Sequence, residues 1–125
     1  MNYAHSKHKK KEFSFAFKNR LAPDSLFYRG VYMSLYAIKE REPEKYIHVI
    51  RVGLAISKKV GKAAKRNKIK RQLRMLAKVS ISNISNVGCY YIILTHKNIM
   101  QAGYKNLQKD LNICLKKDKI RRNFH

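Results

Sequence analysis

From Val31 to Ile38 the apolar and polar positions alternate: Val31, Met33, Leu35 and Ala37 point one way, and Tyr32, Ser34 and Tyr36 the other. A period of two predicts a strand with one buried face, and here the second face is aromatic and polar. A second strand is predicted over residues 47 to 57, where Val52, Leu54 and Ile56 share a face, with the charged stretch KEREPEK and its Pro43 as the connection. After Gly61 the period changes. Between residues 62 and 79, Ile69, Leu73, Leu76 and Ala77 recur at three-four spacing and predict a helix that buries one stripe. Residues 80 to 86, rich in Ser and Asn, read as a loop, and Cys89 to Thr95 (CYYIILT) as a buried strand. Residues 101 to 117 read as a closing helix with Tyr104, Leu107, Leu111, Cys114 and Leu115 inward, followed by a frayed basic tail from Lys116. Residues 9 to 18 stay ambiguous, because Phe13, Phe15 and Phe17 alternate like a strand while Phe13 and Phe17 share a helical face. Taken in order, these elements predict one α+β domain over residues 1 to 125, a small sandwich of a mixed sheet and helices with a basic N-terminal extension over residues 1 to 8.

Charge changes the picture next. The 125 residues hold 29 Lys plus Arg against 7 Asp plus Glu, a net charge of +22. A domain this charged repels itself and needs a polyanion, nucleic acid or an anionic membrane face, as its working partner. With 45% hydrophobic and 10% aromatic residues the chain is too apolar for a disordered basic tail. The acids are also unevenly placed. Residues 45 to 109 contain none, and residues 58 to 74 (KKVGKAAKRNKIKRQLR) hold nine basic side chains in seventeen positions. On the predicted helix Ala64, Asn67, Lys68 and Arg71 lie at i, i+3, i+4 and i+7, with Arg74 following and Arg66 and Lys70 flanking, so a basic stripe faces away from the core. The twenty Lys and nine Asn beside two Pro also suggest an AT-rich coding genome, which inflates Lys.

Candidate chemistry narrows the classes further. Cys89 and Cys114 match no metal-ligand spacing and sit among apolar residues, which predicts reduced core thiols in a cytoplasmic protein. The N-terminus lacks the apolar segment of a secretory signal, and no stretch approaches the roughly 18 apolar residues of a membrane span. A two-metal nuclease needs converging carboxylates, and the basic window offers none. A metal-free ribonuclease needs a positioned acid and base. Here His48 and His96 lie within the body of the chain, His5, His8 and His125 lie near its ends, and no spacing pairs them. Nucleic-acid binding fits better, with Lys and Arg neutralising phosphates and the Tyr32, Ser34, Tyr36 face offering a stacking surface for single-stranded bases.

Ser57 to Gly61 reads SKKVG after the apolar strand RVGLAIS, and Arg66 to Arg74 reads RNKIKRQLR. At this spacing the chain resembles the bacterial ribonuclease P protein component, whose basic helix carries the pattern R-N-R-x-K-R-x-x-R. Lys68 stands where that pattern has Arg, keeping the charge without the bidentate phosphate geometry, and Lys62 stands where Asn commonly follows the glycine. The resemblance spans residues 9 to 117 and favours a helix around Phe13 and Phe17. It implies a sandwich with a left-handed strand, helix, strand crossover, against the usual hand. It also implies an RNA-binding subunit of a ribonucleoprotein endonuclease that removes the 5′ leader from precursor tRNA, the hydrolysis being performed by the RNA with its Mg²⁺ and no cofactor being held by the protein.

Carried over by position, Arg66, Asn67, Lys68, Lys70, Arg71 and Arg74 would face the catalytic RNA. Phe13, Phe17, Ser34, Tyr36, Lys59 and Arg66 would line the path of the leader, between the first helix and the open face of the sheet. The implied partners are the ribonuclease P RNA and precursor tRNA, with no membrane and no small-molecule substrate. A ribosomal-type RNA-binding protein or a DNA-coating protein would explain the charge equally well, but neither predicts SKKVG before that helix.

Overall fold

The alternation that becomes regular at Met33 belongs to one strand of a five-stranded sheet in the computed structural model, which describes residues 2–5, 10–46, 49–81 and 88–123. The elements are β1 (Asn2–His5), α1 (Lys10–Lys18), β2 (Leu26–Arg29), β3 (Met33–Lys39), β4 (Val49–Ala55), α2 (Ala63–Ile81), β5 (Cys89–Thr95) and α3 (Tyr104–Asn123). Short 3₁₀ turns at Asn19–Leu21, Pro43–Tyr46, Lys58–Val60 and Lys97–Gln101 join them. The sheet order is β1-β4-β5-β3-β2. β1, β4 and β5 run parallel to one another, and β3 and β2 continue the sheet antiparallel. The unit β4, α2, β5 is therefore a parallel crossover with its two strands adjacent.

The two periods explain the layers. Met33, Leu35 and Ala37 of β3, Ile50 and Val52 of β4, and Tyr91 and Ile93 of β5 face one side. There they meet Ile69, Leu73, Leu76, Ala77 and Ile81 of α2 and Leu107, Leu111, Cys114 and Leu115 of α3. The opposite faces of the same strands contribute Tyr36, Ile38, Tyr90 and Ile92, which pack under Ala16, Phe13 and Phe17 of α1. Burial of the Leu, Ile, Val and Met side chains among these, each contributing about 1.5–3 kcal/mol, drives the assembly.

Several expectations are corrected. Residues 2–5, read as part of a basic extension, form an edge strand beside β4, and β2 lies in a stretch that carried no strand signal. Both are four-residue edge strands, too short for a visible period and ordered by pairing with a longer neighbour. Val31 precedes β3 and is 64% exposed, and Tyr104, expected inward, is 37% exposed because α3 begins there. α2 includes Ser80 and Ile81, while the rest of the expected loop lies outside the described residues, as do residues 47 and 48. Most instructive is the tail. α3 continues to Asn123, anchored by Asp118, which is buried and accepts the hydroxyls of Tyr28 at 2.8 Å and Tyr91 at 2.7 Å. A carboxylate on the inner face hid the helix from a pattern that counts apolar residues.

Candidate nucleic-acid interface

The SKKVG segment acts as a positioning device. Ser57 has an extended backbone, and its Oγ accepts the N–H of Lys59 at 3.1 Å, closing the 3₁₀ turn. Val60 is buried in the main core and pins the turn to the sheet. Gly61 has φ +148°, a region that side chains rarely adopt, and a Cβ there would lie 2.9 Å from Met100 Cε. The guanidinium of Arg66 then donates back to the carbonyl of Gly61. Strand, turn and helix are thus fixed in one orientation.

With that orientation set, the three-four stripe of α2 enters the core and the opposite face is left outside. Ala64, Asn67, Lys68 and Arg71 are exposed, and Arg66, Lys70 and Arg74 are half-buried along its flanks. Lys59 is exposed in the turn that precedes the helix. The fold also disposes of negative charge. Of the seven acids in the chain, Glu40, Asp110 and Asp118 are buried. Asp110 accepts the backbone N–H groups of Val31, Tyr32 and Met33 at 2.8, 2.9 and 3.1 Å, holding the turn between β2 and β3. Glu40 accepts from Nε and Nη2 of Arg51 at 2.9 and 2.7 Å, and the Arg51 guanidinium also lies 3.9 Å from the centre of the Tyr46 ring. Counting charges along the chain could not reveal that three of the acids point inward. Among the described residues no three His, Cys, Asp or Glu side chains come together as a metal-binding group.

On the other side of the sheet, Phe13 and Phe17 stack with ring centroids 5.9 Å apart and planes 19° apart. Phe13 lies directly over Gly53 of β4, where a Cβ would sit 2.5 Å from Phe13 Cδ2, so the glycine of RVGLAIS makes room for the helix. Arg20 covers the Phe17 ring at 3.9 Å and donates to its carbonyl at 2.6 Å. Arg41 covers Phe15 at 4.4 Å beside a shallow cleft whose lining includes Ala16, Ile38, Tyr46 and Tyr90.

The expectation of an open face at Ser34 and Tyr36 is corrected. Ser34 is 2% exposed and Tyr36 is 8% exposed, because β3 is an interior strand flanked by β2 and β5 and overlain by α1. The Ser34 hydroxyl lies 2.7 Å from His96 Nε2, and His96 Nδ1 lies 3.2 Å from the Val31 carbonyl. A carbonyl only accepts, so Nδ1 carries the proton and Nε2 accepts from Ser34 in the neutral ring. His96 is thus a tie between the end of β5 and the turn before β3. His8, His48 and His125 lie outside the described residues. Cys89 and Cys114 are buried thiols not joined in a disulfide, and the Cys114 thiol donates to the Tyr28 carbonyl at 3.7 Å. Burial, with the nearby Asp110 charge adding to it, pushes the Cys114 thiol from 9.0 to about 11.

Together these features define a small α+β protein with a basic helical face on one side and an aromatic, cation-bearing face on the other. The ribonuclease P family model matches residues 1–119, and the chain belongs to that family. The ribonuclease P protein component of Mycoplasma capricolum is 40% identical over 70 residues, covering 56% of this chain and 64% of the relative. The matched stretch thus spans just under two thirds of that relative's length. The structure of the Staphylococcus aureus RNase P protein superimposes with a TM-score of 0.71 at 24% identity, covering 95% of this chain and 96% of the other. The RNase P protein from Thermotoga maritima gives 0.67 at 21% identity, covering 86% and 92%. At these identities the agreement is one of fold. No described helix is long and apolar enough to cross a membrane.

Proposed function

We propose that this chain is the protein subunit of ribonuclease P, a cytoplasmic partner of the ribonuclease P RNA in removing the 5′ leader from precursor tRNA. The observation that carries the reading is the SKKVG turn, which starts α2 so that Asn67, Lys68 and Arg71 are exposed and Arg66, Lys70 and Arg74 lie half-buried along the flanks of the same face, within a family member. A rigid helical row of cations and an amide suits a folded RNA surface, where each neutralised phosphate releases counterions. The leader would follow the α1 side of the sheet, past Phe13, Phe17 and Lys59 toward Arg66, with Ser34 and Tyr36 as its supporting floor.

Leader contacts exist for the precursor and vanish for the product. The protein then adds binding energy that favours precursor over mature tRNA, and stacking makes that energy tolerant of leader sequence. The Mg²⁺-dependent hydrolysis is assigned to the RNA. The buried carboxylates among the described residues, Glu40, Asp110 and Asp118, are each engaged within the fold, and the part of the chain is to bind, orient and neutralise. The test is binding of leader-bearing and leaderless tRNA to the reconstituted complex. The reading expects the protein to raise affinity for the first and leave the second nearly unchanged; an equal rise for both contradicts it.

A further inference from the structure

Resting on that reading, we propose that Phe27 and Arg29 of β2 form a further leader subsite, the ring receiving a base and the guanidinium an adjacent phosphate. Along β2 the burial alternates, with Phe27 and Arg29 exposed and Tyr28 buried in the core beneath α3. Alternation therefore puts Phe27 and Arg29 on the α1 side of the sheet. Phe27 pairs in register with Tyr36, and Arg29 with Ser34. The rings of Phe27 and Tyr36 lie 4.9 Å apart at 36°, so Phe27 roofs the residue expected to do the stacking and takes over its place at the surface.

The neighbouring rings are already engaged. Phe17 is covered by Arg20, Phe15 by Arg41, and Phe13 rests on Gly53. Among the described residues Phe27, 44% exposed, is the aromatic on this side with a large open face. On an edge strand the exposed ring and the neighbouring guanidinium are both open to a partner. The chain's +22 charge disfavours a second copy as that partner and favours a polyanion. A ring and a cation two residues apart on one strand face, about 6.6 Å along the chain, match a single-stranded nucleic acid, with its bases for stacking and its phosphates for neutralisation.

The experiment uses the complex reconstituted from this chain and ribonuclease P RNA, with leader-bearing precursor and leaderless tRNA as probes. Phe27→Ala should weaken precursor binding about five- to tenfold and leave leaderless tRNA unchanged, while Phe27→Trp restores precursor binding. Arg29→Gln should weaken precursor binding and flatten its salt dependence. Phe27→Leu, which keeps an apolar cover over Tyr36, should still lose precursor affinity. The subsite is overturned, with the broader reading intact, if the unaltered chain favours precursor and Phe27→Ala favours it equally. It is also overturned if the loss is the same for both tRNAs, which a packing role would produce. If the unaltered chain shows no leader-dependent gain, the broader reading falls and the subsite with it.

Discussion

The guanidinium of Arg66 donates to the carbonyl of Gly61, five residues earlier, across the start of α2. A residue carried by the RNA-binding pattern is thereby also a clamp on the turn that orients the helix. Lys68 and Arg71, two and five residues further along the helix, are exposed to the surroundings. The two kinds of residue separate by measurement. Arg71→Gln should lower the salt slope of binding to the ribonuclease P RNA by about 1 and leave the melting temperature unchanged. Arg66→Gln should lower the slope and also cost about 1 kcal/mol of stability, since the Gly61 carbonyl loses its donor. Salt titrations and thermal unfolding of the same variants decide it, and identical unfolding for both would remove the clamp.

Gly53 and Phe13 make a second pair. A methyl group at position 53 meets the Phe13 ring at 2.5 Å, and β4 is held in the sheet between β1 and β5, so the ring has to give way. Gly53→Ala should cost about 1–3 kcal/mol and lift α1 from the sheet. Unfolding midpoints and precursor binding should fall together, and Phe13→Leu in the same chain should recover part of the stability.

Asp118 carries a prediction opposite to that of a frayed tail. An asparagine there accepts one tyrosine hydroxyl but not both, leaving one buried donor unsatisfied at about 1–3 kcal/mol. Asp118→Asn should destabilise by that amount, and Tyr91→Phe combined with it should cost less than the sum of the two single changes. Additive losses would show that the hydroxyl and the carboxyl act independently.

Cys114 predicts a pH dependence. Its folded value of about 11 exceeds the ordinary 9.0, so the folded chain holds this proton more tightly than the unfolded one. The contribution is complete below 9.0 and is lost progressively as pH rises toward about 11. The decline in melting temperature over that window should be shallower for Cys114→Ala than for the unaltered chain. Alkylation of the native thiol near neutral pH should be slow and should accelerate on unfolding.

Much of this architecture is visible in the residues alone, where the signal is local. α2 is legible because Ile69, Leu73, Leu76 and Ala77 keep three-four spacing, and β5 because CYYIILT is an unbroken apolar run. The same spacing puts Asn67, Lys68 and Arg71 on the outer stripe, where they are exposed, with Arg66 and Lys70 on its flanks, half-buried; the assignment of the six side chains to RNA comes from the family pattern and not from the spacing. What could not be read depends on neighbours distant in sequence. Tyr36 looked open because nothing in β3 announces that Phe27 will lie over it, and β1 exists as a strand only beside β4. Nothing local marks Asp110 and Asp118 as buried; their partners, the turn at residues 31–33 and the hydroxyls of Tyr28 and Tyr91, lie far off in sequence. Phe27 became a candidate only when the register of β2 on β3 put it on the α1 side.

The most direct test of the account is cleavage of precursor tRNA by the ribonuclease P RNA at low Mg²⁺, with and without this chain. RNA nearly inactive alone should become active when the chain is added, releasing the intact 5′ leader, and the chain alone should cut nothing. RNA that is no more active with the chain present, or cleavage by the chain without RNA, would contradict it.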